Sequence, residues 1–365
     1  MANKNIVILG GDGIGPEVTA WGNDVLKNIA EIFGHTFSFQ NELIGHAAIE
    51  ATGEPLPDKT LDACKQADAI LLGAVGHPMY DNDPSKQVRP EQGLLKIRKS
   101  LGLYTNIRPI KIFDELAHAS SIKSEILKGS DILFFRELTG GIYFGEPRER
   151  QENGEVAIDT MRYSKMEVRR IAEKAFEAAM TRRKIVHSVD KANVLESSRL
   201  WRETVNEVAK NYPEVELVHM FIDNASMQLI KDPKQFDVVV TGNMFGDILT
   251  DEASQIAGSL GMLASASVGD SVGIFEPIHG SAPDIAGQNI ANPLATILST
   301  ALLLDISFGM QEESKAVIDA VDAVLKEGYR TTDIAEQQTP KDKILSTDEM
   351  GKRVVAHIKQ AVSVQ

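Results

Sequence analysis

The sequence predicts an α/β protein with a largely parallel sheet, and three observations carry that prediction. First, residues 6–9 and 69–75 are continuous apolar runs, the pattern of strands buried on both faces. Second, strand patterns at 6–9, 184–189 and 236–241 are each followed by a helical one, an alternation that implies crossover helices on a parallel sheet. Third, 365 residues suggest two domains or one elaborate one. No linker rich in proline, serine and glycine splits the chain, so two domains would require it to cross between them more than once.

Taken in order, the first strand runs into Gly10-Gly11-Asp12-Gly13-Ile14-Gly15-Pro16. Val18, Trp21, Val25, Ile29, Ile32 and Phe33 then form a helical stripe behind a first-turn proline. Ser164-Lys165-Met166-Glu167 has the spacing of a capping box. Behind it, Val168, Ile171, Ala172, Ala175, Phe176, Ala179 and Met180 mark the clearest amphipathic helix. Residues 142–163 break the alternation: strand-like flanks enclose Glu146-Pro147-Arg148-Glu149-Arg150 and Asn153-Gly154, which reads as a projecting hairpin. The apolar stretch 294–304, interrupted by Thr296, Ser299 and Thr300, is too short for a bilayer and reads as a buried helix.

Composition excludes several functions. Lys plus Arg is 38 against 52 Asp plus Glu, a net charge of −14 that repels phosphate backbones and anionic lipid. Neither nucleic acid nor membrane is therefore an expected partner. One cysteine, Cys64, leaves no internal disulfide or thiolate metal cluster and fits a reducing, cytoplasmic location. The apolar run 6–9 is too short for a signal-peptide core.

The chemistry-bearing residues are few. The opening glycines fail the dinucleotide fingerprint, because the sixth position from Gly11 is Pro16 and from Gly13 is Val18. That leaves either a structural turn or a close-approach loop. No two of the eight histidines have zinc-motif spacing. His279 stands out, because Glu276-Pro277-Ile278-His279-Gly280-Ser281-Ala282-Pro283-Asp284 reads as a functional loop. Asp247 and Asp251 lie four apart on a helix that follows a strand, where α/β folds place ligands. Such like charges are either solvated surface groups or oxygen ligands of a hard cation, Mg²⁺ or Mn²⁺. Arg98, Arg108 and Arg136 sit in apolar or turn contexts and offer forked donors for a small multi-carboxylate substrate. Lys191 past one strand end and Tyr143 after a glycine pair supply a possible base and acid.

These motifs converge on a family. The sequence resembles the β-decarboxylating isocitrate/isopropylmalate dehydrogenases, on the isopropylmalate side. The resemblance runs from Gly11-Asp12-Gly13-Ile14-Gly15-Pro16-Glu17 through residues 136–147, Asp190-Lys191-Ala192-Asn193-Val194 and 242–251 to 279–292. One departure is Gly76-His77-Pro78, where members often carry Gly-Gly-Pro. The resemblance implies a two-domain α/β fold of the isopropylmalate/isocitrate dehydrogenase type, and not a Rossmann fold. Residues 1–105 with 258–365 would form the cofactor-binding domain, and 106–257 an inserted dimer-forming domain. It further implies a homodimer interlocked by a β arm at about 142–163, with active sites shared between subunits.

The implied reaction is oxidation of (2R,3S)-3-isopropylmalate by NAD⁺ with loss of CO₂, a step of leucine synthesis. By the same likeness Arg98, Arg108 and Arg136 bind the carboxylates. Asp223, Asp247 and Asp251 hold the metal, with Lys191, Asp223 and Val194 coming from the partner subunit. Lys191 and Tyr143 handle protons, and neighbouring cations are expected to help keep Lys191 neutral. Leu94 and Leu95 replace the polar Ser and Asn of isocitrate dehydrogenases and suit a branched alkyl group. Gly76, Glu91, His279, Gly280, Ser281, Ala282, Asp284 and Asn292 would contact NAD. Asp284-Ile285 stands where NADP-using members carry Lys then Tyr. A metal-assisted lyase or phosphatase and a catalytically silent dicarboxylate binder remain as alternatives, and both lack nicotinamide-dependent turnover.

Overall fold

Strand β1, Asn3–Gly11, opens the chain in a computed structural model that describes residues 1–80, 83 and 85–362. Two units are present: Met1–Leu101 with Gly258–Gln365, and Gly102–Ala257. The first unit begins with β1, α1 (Gly15–Phe33), β2 (Thr36–Glu42), α2 (His46–Thr52), α3 (Asp58–Gln66), β3 (Ala69–Ala74) and α4 (Pro90–Ser100). The second contains β4 (Thr105–Lys111), α5 (Ser124–Leu127), β5 (Asp131–Glu137), β6 (Glu149–Gln151), β7 (Val156–Ile158), α6 (Lys165–Met180), β8 (Ile185–Asp190), α7 (Glu196–Ala209), β9 (Glu216–Phe221), α8 (Ile222–Lys231), β10 (Val238–Thr241) and α9 (Asn243–Ala257). The chain then returns to the first unit with β11 (Ala264–Val268), β12 (Ile274–Pro277), α10 (Leu294–Leu302), α11 (Gln311–Lys326) and α12 (Thr347–Val362).

In the first unit the strands run β2-β1-β3-β12-β11. All neighbours are parallel except β11 with β12. The apolar runs of β1 and β3 are buried throughout their centres, as strands covered on both faces require. Pro16 sits in the first turn of α1, and Gly34 at φ 71° ends it by returning its N–H to Ala30 O.

The second unit orders its strands β4-β5-β10-β8-β9, with only β4 antiparallel. The carboxyl ends of β5, β8 and β10 therefore share one edge. Strand β10 starts at Val238 and not at 236, because 233–235 form a helical turn whose Pro233 O accepts from Phe236 N. Ser164 Oγ caps α6 by accepting from Glu167 N, while Glu167 accepts from Ser164 N. The buried face of α6 meets Val186, Trp201, Val205, Val238 and Val240. Strands β6 and β7 pair antiparallel as a separate hairpin with exposed or half-buried residues only. Among the described residues no helix is long and apolar enough to cross a membrane.

His187 on β8 gives this core a pH dependence. Its ring lies 4.7 Å from that of Phe236, and its Nδ1 has no partner among the described residues. Burial first, then the charge of Arg183, pushes the imidazole down to about 4. The unfolded chain binds a proton more readily, so stability falls as pH drops from about 6.5 towards 4, by about 3 kcal/mol in the limit. Urea unfolding of wild type and His187→Leu at about pH 7 and pH 4.5 should show a steeper acid loss in wild type. Equal losses would remove His187 as the cause.

Candidate active site

The shared strand edge of the second unit gathers the charged residues. Arg136, near the end of β5, is 3 % exposed. Its Nη1 donates to Asp247 Oδ1 at 2.5 Å. Nε and Nη2 both donate to Asn243 Oδ1, at 3.2 and 2.8 Å, and Nε also reaches Asn243 O at 3.0 Å. Gly246 makes room for this side chain, because a Cβ there would lie 2.7 Å from Arg136 Cγ. From β4, Arg108 donates to Asn106 Oδ1 (2.6 Å) and Thr250 Oγ1 (2.5 Å), and stands 3.7 Å from Asp247 and 3.6 Å from Asp251.

Asp247 and Asp251 project from one face of α9, as their spacing requires. Two buried arginines offset part of their repulsion. Asp251 nevertheless sits above the usual carboxylate range, raised by burial and by Asp247 against the pull of Arg108. Tyr143, in the helical turn Gly141–Tyr143, donates its hydroxyl to Asp247 Oδ2 at 2.9 Å. Burial and that carboxylate raise the phenol, so it holds its proton at neutral pH.

Lys191 follows β8 directly and donates Nζ to Asp223 Oδ1 at 2.6 Å, from the first turn of α8. Where cations were expected around Lys191, the chain supplies a carboxylate, and the ammonium holds Asp223 below its ordinary range. Asp223 does not join the α9 pair: among the described residues no three His, Cys, Asp or Glu side chains are placed to hold a metal. Val194 is 61 % exposed.

The remaining sequence-selected residues lie in the first unit. On α4, Arg98 is buried and donates to Glu276 at 2.7 Å, Leu94 and Leu95 are half-buried, and Glu91 faces outward. A Cβ on Gly76, whose φ is 133°, would lie 3.2 Å from Glu91 Oε1 and 3.8 Å from Ser281 Oγ, so these three converge. His77 leaves this cradle and packs against His46 at a tilt of 35°, with ring centroids 4.2 Å apart. His279 Nδ1 bonds Gly280 O at 2.9 Å, while its buried Nε2 has no partner among the described residues. Burial keeps that imidazole neutral. Gly280 faces open space, and Ala282 holds φ 37°. Asp284 is exposed in a turn. Asn292 is buried, accepting from Leu294 N and donating to Asp333 at 3.1 Å, so its side chain serves the loop itself.

Two contributors escaped the reading of the sequence. Asn243 orients Arg136 and is itself held by Nδ2 to Gly140 O and by its N–H to Tyr163 Oη. Glu137 is fully buried and accepts from Thr139 N and Gly140 N, folding the turn that delivers Tyr143. Its only sequence signal is a Glu-Leu-Thr-Gly-Gly string, in which a carboxylate two and three residues before backbone donors can close a turn.

A parallel-sheet unit whose strand ends assemble buried arginines, a carboxylate pair and a protonated phenol defines an enzyme that handles a small anionic substrate. The family model for isocitrate/isopropylmalate dehydrogenase matches residues 5–354. The 3-isopropylmalate dehydrogenase of Halalkalibacterium halodurans is 57 % identical over 99 % of both chains. That of Shouchella clausii is 60 % identical over 91 % of this chain and 92 % of its own. The isocitrate dehydrogenase of Methylococcus capsulatus superposes with a TM-score of 0.85 at 32 % identity, covering 98 % of this chain and all of its own. This chain belongs to the isocitrate/isopropylmalate dehydrogenase family and is a decarboxylating oxidoreductase.

Proposed function

We propose that the chain oxidises and decarboxylates (2R,3S)-3-isopropylmalate to 4-methyl-2-oxopentanoate with NAD⁺, as a step of leucine synthesis in the cytoplasm. The observation that carries the reading is the cluster of Arg108 and Arg136 on Asp247, with Tyr143 on the other oxygen of the same carboxylate. The two guanidinium groups bind a substrate carboxylate and fix its plane. The family resemblance assigns Arg98 the second carboxylate. Tyr143 holds a proton at Oη, ready for the carbon left by CO₂. Lys191 is assigned the hydroxyl proton and takes it as the neutral amine, a form that its ion pair with Asp223 disfavours and that release of that carboxylate would restore.

The donors fit the groups that the family implies. Asp247, Asp251 and Asp223 are hard oxygen ligands suited to Mg²⁺ or Mn²⁺, and the two carboxylates four apart on α9 are a place where a cation would relieve repulsion. When bound, such a cation acidifies the substrate hydroxyl and stabilises negative charge on its oxygen. For NAD⁺, the open Gly280, the unpartnered His279 Nε2 and the Gly76–Glu91–Ser281 cradle suit ribose hydroxyls and a close backbone approach. A homodimer with shared sites is favoured by exposed Met227 and Ile230 on α8 and Ile248 on α9, and by an Asp223 that stands apart from the α9 pair.

The test is NADH formation from isopropylmalate with Mg²⁺ and NAD⁺. Absence of turnover there, with activity on other dicarboxylates or without nicotinamide, would reject the reading. Substrate preference follows from α4. Leu94 and Leu95 offer no donor to a third carboxylate, whose uncompensated burial costs several kcal/mol, roughly a thousandfold or more in specificity. The kcat/KM for isopropylmalate should exceed that for isocitrate by at least that order; comparable values would refute the assignment.

A further inference from the structure

We infer that Glu17, in the first turn of α1, is a positioning residue that latches the 281–292 loop and thereby sets nicotinamide-cofactor affinity. The inference rests on the proposal that this loop binds NAD⁺. One oxygen of Glu17 accepts from Gly287 N at 3.1 Å and the other from Asn289 N at 3.2 Å. Both donors belong to backbone that no helix or strand supports, since 283–287 are turns and 288–289 a bend. Gly287 and Asn289 hold φ of 74° and 58°, left-handed conformations that need external fixing when the residue is not glycine.

Neighbouring contacts show that Gly13, Ile14 and Val18 brace the loop beside Glu17. Ile14 N donates to Ser281 O at 2.8 Å, and a Cβ on Gly13 would lie 1.9 Å from that oxygen, so only glycine fits there. Ile14 and Val18 pack with Ala291, against Ala282, Ile285 and Ala286. Of the opening glycines, Gly13 is the one that meets the loop, while Gly11 and Gly15 pack against Ala74. Asn289 is gripped from the far side as well: its O accepts from Thr347 N and its Oδ1 from Asp348 N, both at 3.0 Å. Glu17 is the one charged side chain in this set that accepts from the loop's own N–H groups between the cofactor-facing end at 279–284 and the anchored end at Asn292. A first-turn glutamate also favours the α1 dipole. That role alone acts on stability and gives no reason for the two KM values to change unequally.

The experiment uses the full-length protein and Glu17→Ala, with Glu17→Gln as the conservative variant that keeps one acceptor oxygen. Amide hydrogen exchange on the free protein is read at Gly287 and Asn289, and steady-state kinetics give KM for NAD⁺ and for isopropylmalate separately. Expected for Glu17→Ala are faster exchange confined to the loop and a KM for NAD⁺ raised about tenfold, the order of one charge-assisted hydrogen bond. The KM for isopropylmalate should stay within about twofold of wild type, and Glu17→Gln should recover part of the NAD⁺ affinity. Unchanged loop exchange, or faster exchange with unchanged KM for NAD⁺, or equal rises in both KM values, each overturns the inference. If wild type turns over without any NAD⁺ dependence, the underlying reading fails together with it.

Discussion

Asp247→Asn is expected to lower kcat about a thousandfold, a loss of about 4 kcal/mol of transition-state stabilisation. The structure shows why one atom pair carries so much. Oδ1 takes Arg136 at 2.5 Å and faces Arg108 at 3.7 Å, while Oδ2 takes the Tyr143 hydroxyl at 2.9 Å. An amide offers one oxygen and no charge, so either an arginine or the phenol loses its acceptor, and the carboxylate proposed as a cation ligand is neutralised. Stability should fall less. Asp247 is one-third exposed, Arg136 keeps Asn243, and Arg108 keeps Asn106 and Thr250. Solvent screening reduces the cost of the missing counter-charge to about 1–2 kcal/mol. Activity titrated with Mg²⁺ and calorimetric melting separate the two effects. Wild-type turnover of the variant in chelator-treated buffer would remove Asp247 from the metal site. A melt lowered in proportion to the lost activity would make its role structural.

Much of this arrangement was legible because its signals are local. Residues 6–9 and 69–75 read as buried strands whatever their neighbours, since a continuous apolar run needs cover on both faces. Asp247 and Asp251 could be placed together because the helical period alone puts positions four apart on one face. The hairpin at β6 and β7 follows from turn residues between strand-like flanks. What stayed hidden depends on contacts distant in sequence. No local pattern marks Asn243, and only the paired register Val240↔Phe135 and Thr241↔Arg136 sets it against Arg136. The antiparallel direction of β4, which brings Arg108 to the same edge, is a property of the sheet and not of residues 105–111. Lys191 was expected among cations, but the side chain that meets it comes from α8, which begins 31 residues later at Ile222. Glu17 stands in the sequence only as the end of the Gly11–Glu17 motif, and its partners lie 270 and 272 residues away.

Cofactor choice should follow Asp284, with NAD⁺ preferred over NADP⁺. An exposed carboxylate in the 283–287 turn can accept a hydrogen bond from a ribose hydroxyl, and it repels a 2′-phosphate at the same position. At an effective dielectric near 20 and about 4 Å, each charge pair amounts to roughly 4 kcal/mol before screening. Exposure leaves about a third of that, which is still a roughly tenfold preference for each unit of phosphate charge. The competing account, that Asp284 caps a helix, meets no helix: the next begins at Leu294. The local turn is instead closed by other groups, Gln288 Nε2 on Asp284 O at 2.7 Å and Ile285 N on Ala282 O at 3.2 Å, neither of which uses the carboxylate. Its removal should therefore leave the loop folded. The double variant Asp284→Lys, Ile285→Tyr, assayed with both nucleotides, should shift the ratio of kcat/KM towards NADP⁺ by at least about a hundredfold, since one charge is reversed and not merely deleted. A wild type indifferent to the 2′-phosphate, or a variant with the wild-type ratio and an unchanged melt, would show that discrimination resides elsewhere in the loop.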